Sequence, residues 1–234
     1  EIGPGLGTLT RELAARCRTV LAVEIDARLV AVLHEETVAD LPNVTVLQAD
    51  ALEVDLVGEA RRALGPGPHR VVANIPYAIT SPLVVRLLEA REAFSLIVLM
   101  VQREVADRLT AQPATEAYGA LTLVAQFYAE AERTATVSRR AFWPPPEVDS
   151  AIVRLRPRGE LPPVAPEAFF SVVRAAFQQR RKSLLNALAG AVGLRWSREQ
   201  AAAVLAAAGI DPGRRGETLP LEEFVRLARR AGSG

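Results

Sequence analysis

Apolar and polar positions follow two different periods along this chain, and the pattern changes near residue 158. Before that point, short apolar runs alternate with stretches that place apolar residues on one side of a helix. The short runs predict strands, because a strand buried on both faces reads as an unbroken apolar segment. The predicted strands are Thr19–Ile25, Val44–Gln48, Arg70–Ala73, Leu96–Val101, Ala131–Val137 and Ser150–Leu155.

Helical periodicity occupies the intervals between these strands. The predicted helices are Leu9–Arg16, Ala27–Glu36, Pro82–Ala90, Glu104–Thr110 and Tyr118–Tyr128, and residues 58–68 are predicted to form a polar, Gly/Pro-rich connection. Strand and helix alternate four times, which predicts an α/β fold with an open parallel sheet and helices on both faces.

After residue 157 the pattern becomes purely helical. Arg156–Pro166 contains four prolines and reads as a linker. The helical stretches beyond it are Glu167–Phe177, Arg180–Ala191, Arg198–Ala208 and Leu221–Arg230, with a capping box at Ser197-x-x-Gln200. We therefore expect two domains, an α/β domain over residues 1–157 and a small all-α domain over residues 158–234.

Candidate ligand-binding residues lie where the predicted strands end. Gly3 and Gly5 form a glycine turn, and Glu24, Asp50 and Asn74 each close a strand. Sheets of this kind bind ligands beyond the carboxyl ends of their strands, and an acid about 20 residues after the turn suits ribose hydroxyls. The spacing is G-x-G-x-G, however, so an ordinary turn, with the two acids in capping or turn roles, remains the alternative.

Asn74-Ile75-Pro76-Tyr77 adds a specific chemistry. The Asn74 side chain and the backbone carbonyl before Tyr77 offer two acceptors, and Tyr77 offers a flat ring. This set suits the exocyclic amine of a flipped-out base. Two acceptors would favour a pyramidal nitrogen whose lone pair points at an electrophilic methyl group, so no strong base is needed.

Composition excludes several classes. No apolar run approaches a membrane span, and the two histidines and single cysteine cannot form a typical zinc site. Cys17 is expected in the core of the first helix. Residues 158–234 hold twelve Arg and Lys against seven Asp and Glu, which suggests that the second domain holds a polyanion, and a solvated helical surface remains the alternative.

The beginning of the sequence is unusual. Residue 1 is Glu, and almost no strand precedes the glycine turn, although that strand would be central in this topology. We therefore expect that the natural chain begins upstream of Glu1.

Five segments together resemble the ordered motifs of the S-adenosylmethionine-dependent rRNA adenine N6-methyltransferases. They are Glu1–Thr10, Val23–Asp26, Gln48–Ala51, Asn74–Tyr77 and Phe142–Ser150. Phe142-x-Pro-x-Pro-x-Val-Asp-Ser150 and Phe177–Leu188 are most similar to the small-subunit dimethyltransferases. The competing subfamily is that of large-subunit enzymes that confer macrolide resistance.

The resemblance implies a class I methyltransferase (Rossmann-like) sheet and S-adenosylmethionine as cofactor. It implies dimethylation at N6 of two adjacent adenosines in a hairpin loop near the 3′ end of small-subunit rRNA, with a role in subunit biogenesis. It also implies the site. The cofactor residues would be Gly3, Gly5, Glu24, Ile25, Asp50, Ala51 and Asn74, and the residues around the target base would be Asn74, Pro76, Tyr77 and Phe142.

Arg180, Arg181 and Lys182 would bind RNA phosphates, on a helix whose other face carries Phe177. Glu147 stands where the family usually has Lys, which weakens any phosphate contact there. We expect a cytoplasmic monomer that acts on immature small subunits, without a metal ion or a membrane. A dinucleotide-dependent oxidoreductase and a non-catalytic assembly factor remain alternatives from other classes.

Overall fold

A computed structural model describes residues 1–231 and divides the chain into two compact units. The first unit comprises Glu1–Ala106 and Ala129–Arg158. The second comprises Asp107–Tyr128 and the chain from Gly159 onward.

The strands of the first unit form a parallel pair and a four-stranded mixed sheet. They are β1 (Val20–Glu24), β2 (Val44–Gln48), β3 (His69–Asn74), β4 (Phe94–Gln102), β5 (Ala129–Val137) and β6 (Ser150–Pro157). β1 pairs with β2, and the larger sheet has the order β3-β4-β6-β5, in which β6 runs antiparallel to both of its neighbours. Ile2 forms a parallel bridge with Val23 of β1.

Helices flank these strands on both sides, which confirms the predicted α/β class. They are α1 (Thr8–Ala14), α2 (Ala27–Val32), α3 (Leu56–Leu64), α4 (Thr80–Glu89) and α5 (Arg103–Leu109). Cys17 lies beyond the end of α1 and is exposed, so its prediction as a core residue was wrong.

Helix α3 occupies most of the segment that was predicted to be a connection. Asp55 caps this helix by accepting a hydrogen bond from the backbone N–H of Gly58 at 3.0 Å, and Leu56 and Ala60 are buried. Gly65 follows with a φ of 85°, which suits a glycine beyond a helix end. The glycines and prolines that suggested a loop therefore lie at or beyond the helix termini, apart from Gly58 in its first turn.

The second unit is helical. Its helices are α6 (Ala120–Tyr128), α7 (Pro166–Gln178), α8 (Leu184–Ala189), α9 (Arg198–Ala207) and α10 (Leu221–Ala231). The predicted capping box is present, since Ser197 and Gln200 exchange side-chain and backbone hydrogen bonds at the start of α9.

The division differs from the sequence expectation because the segment Asp107–Tyr128 belongs with the second unit. The Phe127 ring stacks on Phe169 of α7 at 4.5 Å, and the Tyr118 hydroxyl donates to the carbonyl of Leu219 at 2.6 Å. With this segment included and Arg158 in the first unit, the second unit holds twelve basic and nine acidic residues. The charge contrast between the units is therefore smaller than the linear division suggested.

The helix predicted from Arg180 to Ala191 begins only at Leu184. The first two backbone N–H groups of α8 donate across space, from Leu184 to the carbonyl of Arg214 at 2.7 Å and from Leu185 to that of Pro212 at 3.2 Å. Residues 179–183 form the turn between α7 and α8, so Arg180, Arg181 and Lys182 do not share a helix with Phe177.

Candidate functional site

A buried carboxylate ties the glycine turn to the end of β1. Glu24 is only 6% exposed, and its two oxygens accept three backbone N–H groups. Oε1 accepts from Ile25 at 2.8 Å and Asp26 at 3.0 Å, and Oε2 accepts from Gly5 at 3.2 Å. A carboxylate has about four acceptor positions, so Glu24 holds the turn and keeps capacity for a ligand hydroxyl.

The turn itself requires glycine where it passes close to other residues. Gly7 has a φ of 83°, and a Cβ on it would lie 2.3 Å from the Thr37 methyl carbon. Gly5 has a φ of 58°, and a Cβ there would meet nothing within 4 Å. There is therefore open space above Gly5, where a ligand can approach the backbone.

Apolar surface adjoins this carboxylate. The Ile25 side chain is 62% exposed directly after β1, although large aliphatic side chains are usually covered. Asp26 caps α2 by accepting from the Arg28 backbone N–H at 2.8 Å. Ile25 thus offers an apolar face beside a hydrogen-bonding acid.

The end of β2 supplies a second acid. Asp50 is half-buried, and its Oδ1 accepts from the Leu52 backbone N–H at 2.8 Å. Its Oδ2 receives no hydrogen bond from any residue between 1 and 231. Ala51 beside it is buried. Asp50 is therefore both a turn residue and a carboxylate with an acceptor to spare.

The glycine turn lies directly against the Asn74–Tyr77 turn. A Cβ on Gly3, whose φ is 67°, would lie 3.3 Å from Pro76 Cδ and 3.8 Å from the Asn74 carbonyl oxygen. Asn74 ends β3 and is exposed, while Ile75 donates its backbone N–H to Met100 of β4 at 3.1 Å. The structure therefore brings together the predicted cofactor turn and the predicted base-binding turn.

The Pro76 carbonyl, predicted from the sequence to be an acceptor for the base, already has two hydrogen-bond donors within the chain. It accepts from the Ile79 backbone N–H at 3.1 Å and from the Thr80 hydroxyl at 3.3 Å. These two bonds occupy both lone pairs of the oxygen and close the turn between β3 and α4. Asn74 is thus the exposed acceptor at this turn, and Pro76 supports its shape.

The two predicted aromatic residues are placed differently. Tyr77 is half-buried, and its hydroxyl oxygen lies 3.0 Å from the hydroxyl oxygen of Ser150. Ser150 is the first residue of β6 and has no exposed surface. Phe142 is half-buried in the loop before β6, and no ring contact with Tyr77 is formed among residues 1–231. The two rings are therefore not stacked on each other.

Ser150 was missed as a partner of the site. Its signal was present, since it is the last residue of the motif that begins at Phe142, but a serine at a strand start has many ordinary roles. The pairing of Ser150 with Tyr77 depends on the neighbouring positions of β3, β4 and β6, which the sequence did not specify.

The three predicted RNA-binding residues have different surroundings. Arg180 donates Nε to Glu217 at 2.7 Å and Nη2 to the carbonyl of Glu116 at 2.7 Å, so its guanidinium is engaged within the second unit. Arg181 and Lys182 are exposed, and their side chains bond to no residue between 1 and 231. Of the three, these two present unengaged charges to a partner.

Among residues 1–231, none of the helices combines the length and the apolar character of a membrane span. The same residues contain no cluster of three or more His, Cys, Asp or Glu side chains that could hold a metal ion.

Comparison with solved structures defines the class. A dimethyladenosine transferase from Plasmodium falciparum matches with a TM-score of 0.82 and 26% identity, over 97% of this chain and 86% of that one. The 23S rRNA methyltransferase ErmE matches with a TM-score of 0.72 and 33% identity, over 99% and 89%. The fold is that of an S-adenosylmethionine-dependent methyltransferase.

Sequence comparison then gives the family. A ribosomal RNA small subunit methyltransferase A from Moorella thermoacetica is 49% identical over 98% of this chain and 81% of the relative. One from Pelotomaculum thermopropionicum is 50% identical over 97% and 79%. The profile of the ribosomal RNA adenine dimethylases matches residues 1–231. The chain belongs to this family, whose reaction is S-adenosylmethionine-dependent dimethylation of adenine in rRNA, and the resemblance noted from the sequence is confirmed.

Proposed function

We propose that this protein methylates N6 of two adjacent adenosines in a hairpin loop near the 3′ end of small-subunit rRNA, using S-adenosylmethionine. The observation that carries the proposal is the close approach of the glycine turn to the Asn74–Tyr77 turn, which would place a cofactor beside the amine of a target base. The names of the curated relatives support the small subunit as its target.

The residues around Glu24 fit the cofactor. Glu24 would accept from ribose hydroxyls, Ile25 would pack on the adenine ring, and Asp50 Oδ2, beside Ala51, would accept from the adenine amine. The methionine part would lie in the space above Gly3 and Gly5, close to Asn74. The cofactor supplies a methyl group on a positively charged sulfur, which needs no metal ion for its transfer.

Asn74 would orient the target amine. Its side-chain carbonyl would accept an N–H of adenine N6, which draws the nitrogen toward the pyramidal geometry needed for attack. Tyr77 and Phe142 would bind the two faces of the base. Because the Pro76 carbonyl is occupied, its role is to hold the turn rather than to accept from the base.

The second unit would hold the RNA. Arg181 and Lys182 are exposed and unengaged, as phosphate-binding side chains need to be. Arg180 would act indirectly, because its bonds to Glu217 and Glu116 fix the turn that presents its neighbours. We place the enzyme in the cytoplasm, where ribosomal subunits mature, and propose that it acts as a monomer.

Methyl mapping tests the function. Labelled S-adenosylmethionine is supplied with immature small subunits, large subunits and free rRNA, and the modified nucleotides are identified, with Asn74→Ala as the matched inactive control. We expect two adjacent dimethyladenosines in the immature small subunit alone. Methylation of the large subunit would instead indicate 23S rRNA methylation, which is the activity that the name of ErmE states. Absence of methyl transfer from S-adenosylmethionine to any of these substrates would leave an assembly role only.

A further inference from the structure

Trp143 is the most exposed large apolar side chain among residues 1–231, with 96% of its surface accessible. Tryptophan is highly buried on average, since its ring carries the largest apolar area of any side chain. The proposed target-base and cofactor contacts do not use it. An indole whose two faces are both exposed to solvent is therefore a candidate ligand-binding group.

The loop that carries Trp143 is held at several points. The backbone N–H of Arg139 donates to Asp149 at 3.0 Å, and its guanidinium donates to the Glu147 carbonyl at 3.0 Å. Residues 144–146 are all proline, which fixes their φ angles. The indole is thus presented by an ordered loop, and less conformational entropy is lost when a ligand binds.

This loop leaves the sheet beside the proposed active site. Its far end enters β6 at Ser150, which pairs with Val137 of β5 and Gln102 of β4. Ser150 also contacts the hydroxyl of Tyr77. Trp143 therefore lies in the loop that enters the sheet at the same end of the strands at which Asn74 terminates β3.

A basic residue lies three positions before Trp143 in the sequence. Arg140 is exposed, and its side chain forms no hydrogen bond or ion pair with residues 1–231. Proteins that bind single-stranded nucleic acid combine exposed aromatic rings with basic side chains, because every base has a face to stack on and every nucleotide carries a phosphate. A protein partner would also cover an exposed indole, but it gives no reason for the unengaged arginine.

We propose that Trp143 stacks on an unpaired base that neighbours the target adenosine, while Arg140 contacts the adjoining phosphate. This inference rests on the proposed function and extends it. Tyr77 and Phe142 bind the base being methylated, and Trp143 binds a second base outside the catalytic pocket. The enzyme thereby reads an unpaired segment rather than a single extruded adenosine.

Tryptophan fluorescence tests the contact directly. The chain has two tryptophans, so Trp196→Phe leaves Trp143 as the only tryptophan. This variant is titrated with a hairpin RNA whose loop contains two adjacent adenosines, and with a fully paired duplex as control. We expect the hairpin to quench the emission and shift it to shorter wavelength. The duplex should leave it nearly unchanged.

Affinity measurements on the complete chain supply the second readout. Trp143→Ala should weaken hairpin binding about five- to a hundredfold, whereas Trp143→Phe should retain most of the affinity. Arg140→Ala should lower the log–log salt slope by about 0.7. S-adenosylmethionine affinity and thermal stability should stay unchanged in all three, because both side chains lie on the surface.

The outcomes separate this inference from the proposed function. If the wild-type protein methylates rRNA while Trp143 shows no quenching and Trp143→Ala binds the hairpin normally, the inference is overturned and the function stands. If Trp143→Ala weakens binding to whole subunits but not to free RNA, the indole binds a protein, which also overturns it. If the wild-type protein neither methylates rRNA nor binds the hairpin RNA, the inference and the proposed function are both overturned.

Discussion

The phenolic oxygen of Tyr77 lies 3.0 Å from the hydroxyl oxygen of Ser150, a side chain with no exposed surface. This contact joins the turn after β3 to the start of β6, two segments that are far apart in sequence. It fixes one edge of the Tyr77 ring while leaving the ring half-exposed.

Tyr77→Phe should therefore affect stability more than chemistry. Losing the bond leaves the buried Ser150 hydroxyl without its partner, which costs about 1 kcal/mol in the free energy of unfolding. Ser150→Ala should cost a similar amount, and the double variant should cost less than the sum of the two. Denaturant unfolding measures these values. If Tyr77→Phe slowed single-turnover methylation as much as Asn74→Ala, the hydroxyl would have a chemical role.

Asn74→Ala should reduce turnover more than RNA affinity. It removes an acceptor that is fully aligned only as the methyl group moves, and losing such a bond costs about a hundred- to a thousandfold in rate. Asn74→Asp keeps an acceptor of the same size, so partial activity should survive. Single-turnover methylation of immature small subunits compares the two. Equal losses in both variants would mean that the side-chain carbonyl is not the important group.

Glu24→Ala should weaken S-adenosylmethionine binding about ten- to a hundredfold, because a charge-assisted hydrogen bond contributes about 1.5–3 kcal/mol. Asp26→Ala is the matched control two residues away. It should cost about 1 kcal/mol of stability by removing the α2 cap while leaving cofactor affinity intact. Calorimetry measures binding and thermal unfolding measures stability. Equal affinities in the two variants would exclude Glu24 from the cofactor site.

Variants in the turn between α7 and α8 should distinguish side chains that bind RNA from one that stabilises the turn. Replacing both Arg181 and Lys182 with Ala should lower the log–log salt slope of RNA binding by about 0.7–0.9 for each phosphate that the variant no longer neutralises, without reducing stability. Arg180→Ala should instead lower the thermal stability, since it leaves Glu217 and the Glu116 carbonyl without this partner. An unchanged slope in the double variant would show that those two side chains form only a solvated surface.

Tyr118→Phe should destabilise the second unit by about 1–3 kcal/mol, because the Leu219 carbonyl loses its donor. Burial, together with the carboxylates of Glu222 and Glu223, raises the pKa of Tyr118 far above its usual value. Tyr118 therefore stabilises the fold below about pH 10 and loses that contribution as the pH rises, since only the unfolded tyrosine then ionises. The free energy of unfolding of the Tyr118→Phe variant should fall less than that of the wild type as the pH rises above about 10. An identical decline in both proteins would contradict the assignment.

The sequence was most informative where apolar runs and strand ends carried the signal. The β2 prediction, Val44–Gln48, matched the structure at both ends, and Gly3 and Asn74 proved to be neighbours as the α/β topology required. Both results follow from short-range pattern and from the rule that parallel strands end at one edge.

The errors came partly from contacts distant in sequence and partly from local hydrogen bonds that the pattern does not show. The late start of α8 was missed because its first N–H groups donate to the carbonyls of Arg214 and Pro212, which are remote in sequence. The Pro76 carbonyl is occupied because Thr80 folds back onto it. At α3 the glycines and prolines predicted a connection where the structure has a helix. Asp55 caps this helix by accepting from the backbone N–H of Gly58, which lies in the first turn.

The discontinuity of the second unit has a consequence for how the chain can be divided. Asp107–Tyr128 is made before α7 and α10, yet Phe127 packs on Phe169, and Tyr118 bonds to Leu219. A polypeptide ending at Arg158 would keep this segment and lose its partners Phe169 and Leu219, while one starting at Gly159 would lack Phe127 and Tyr118 from its core. Cleavage at the proline-rich junction therefore cannot release either half as an intact folding unit.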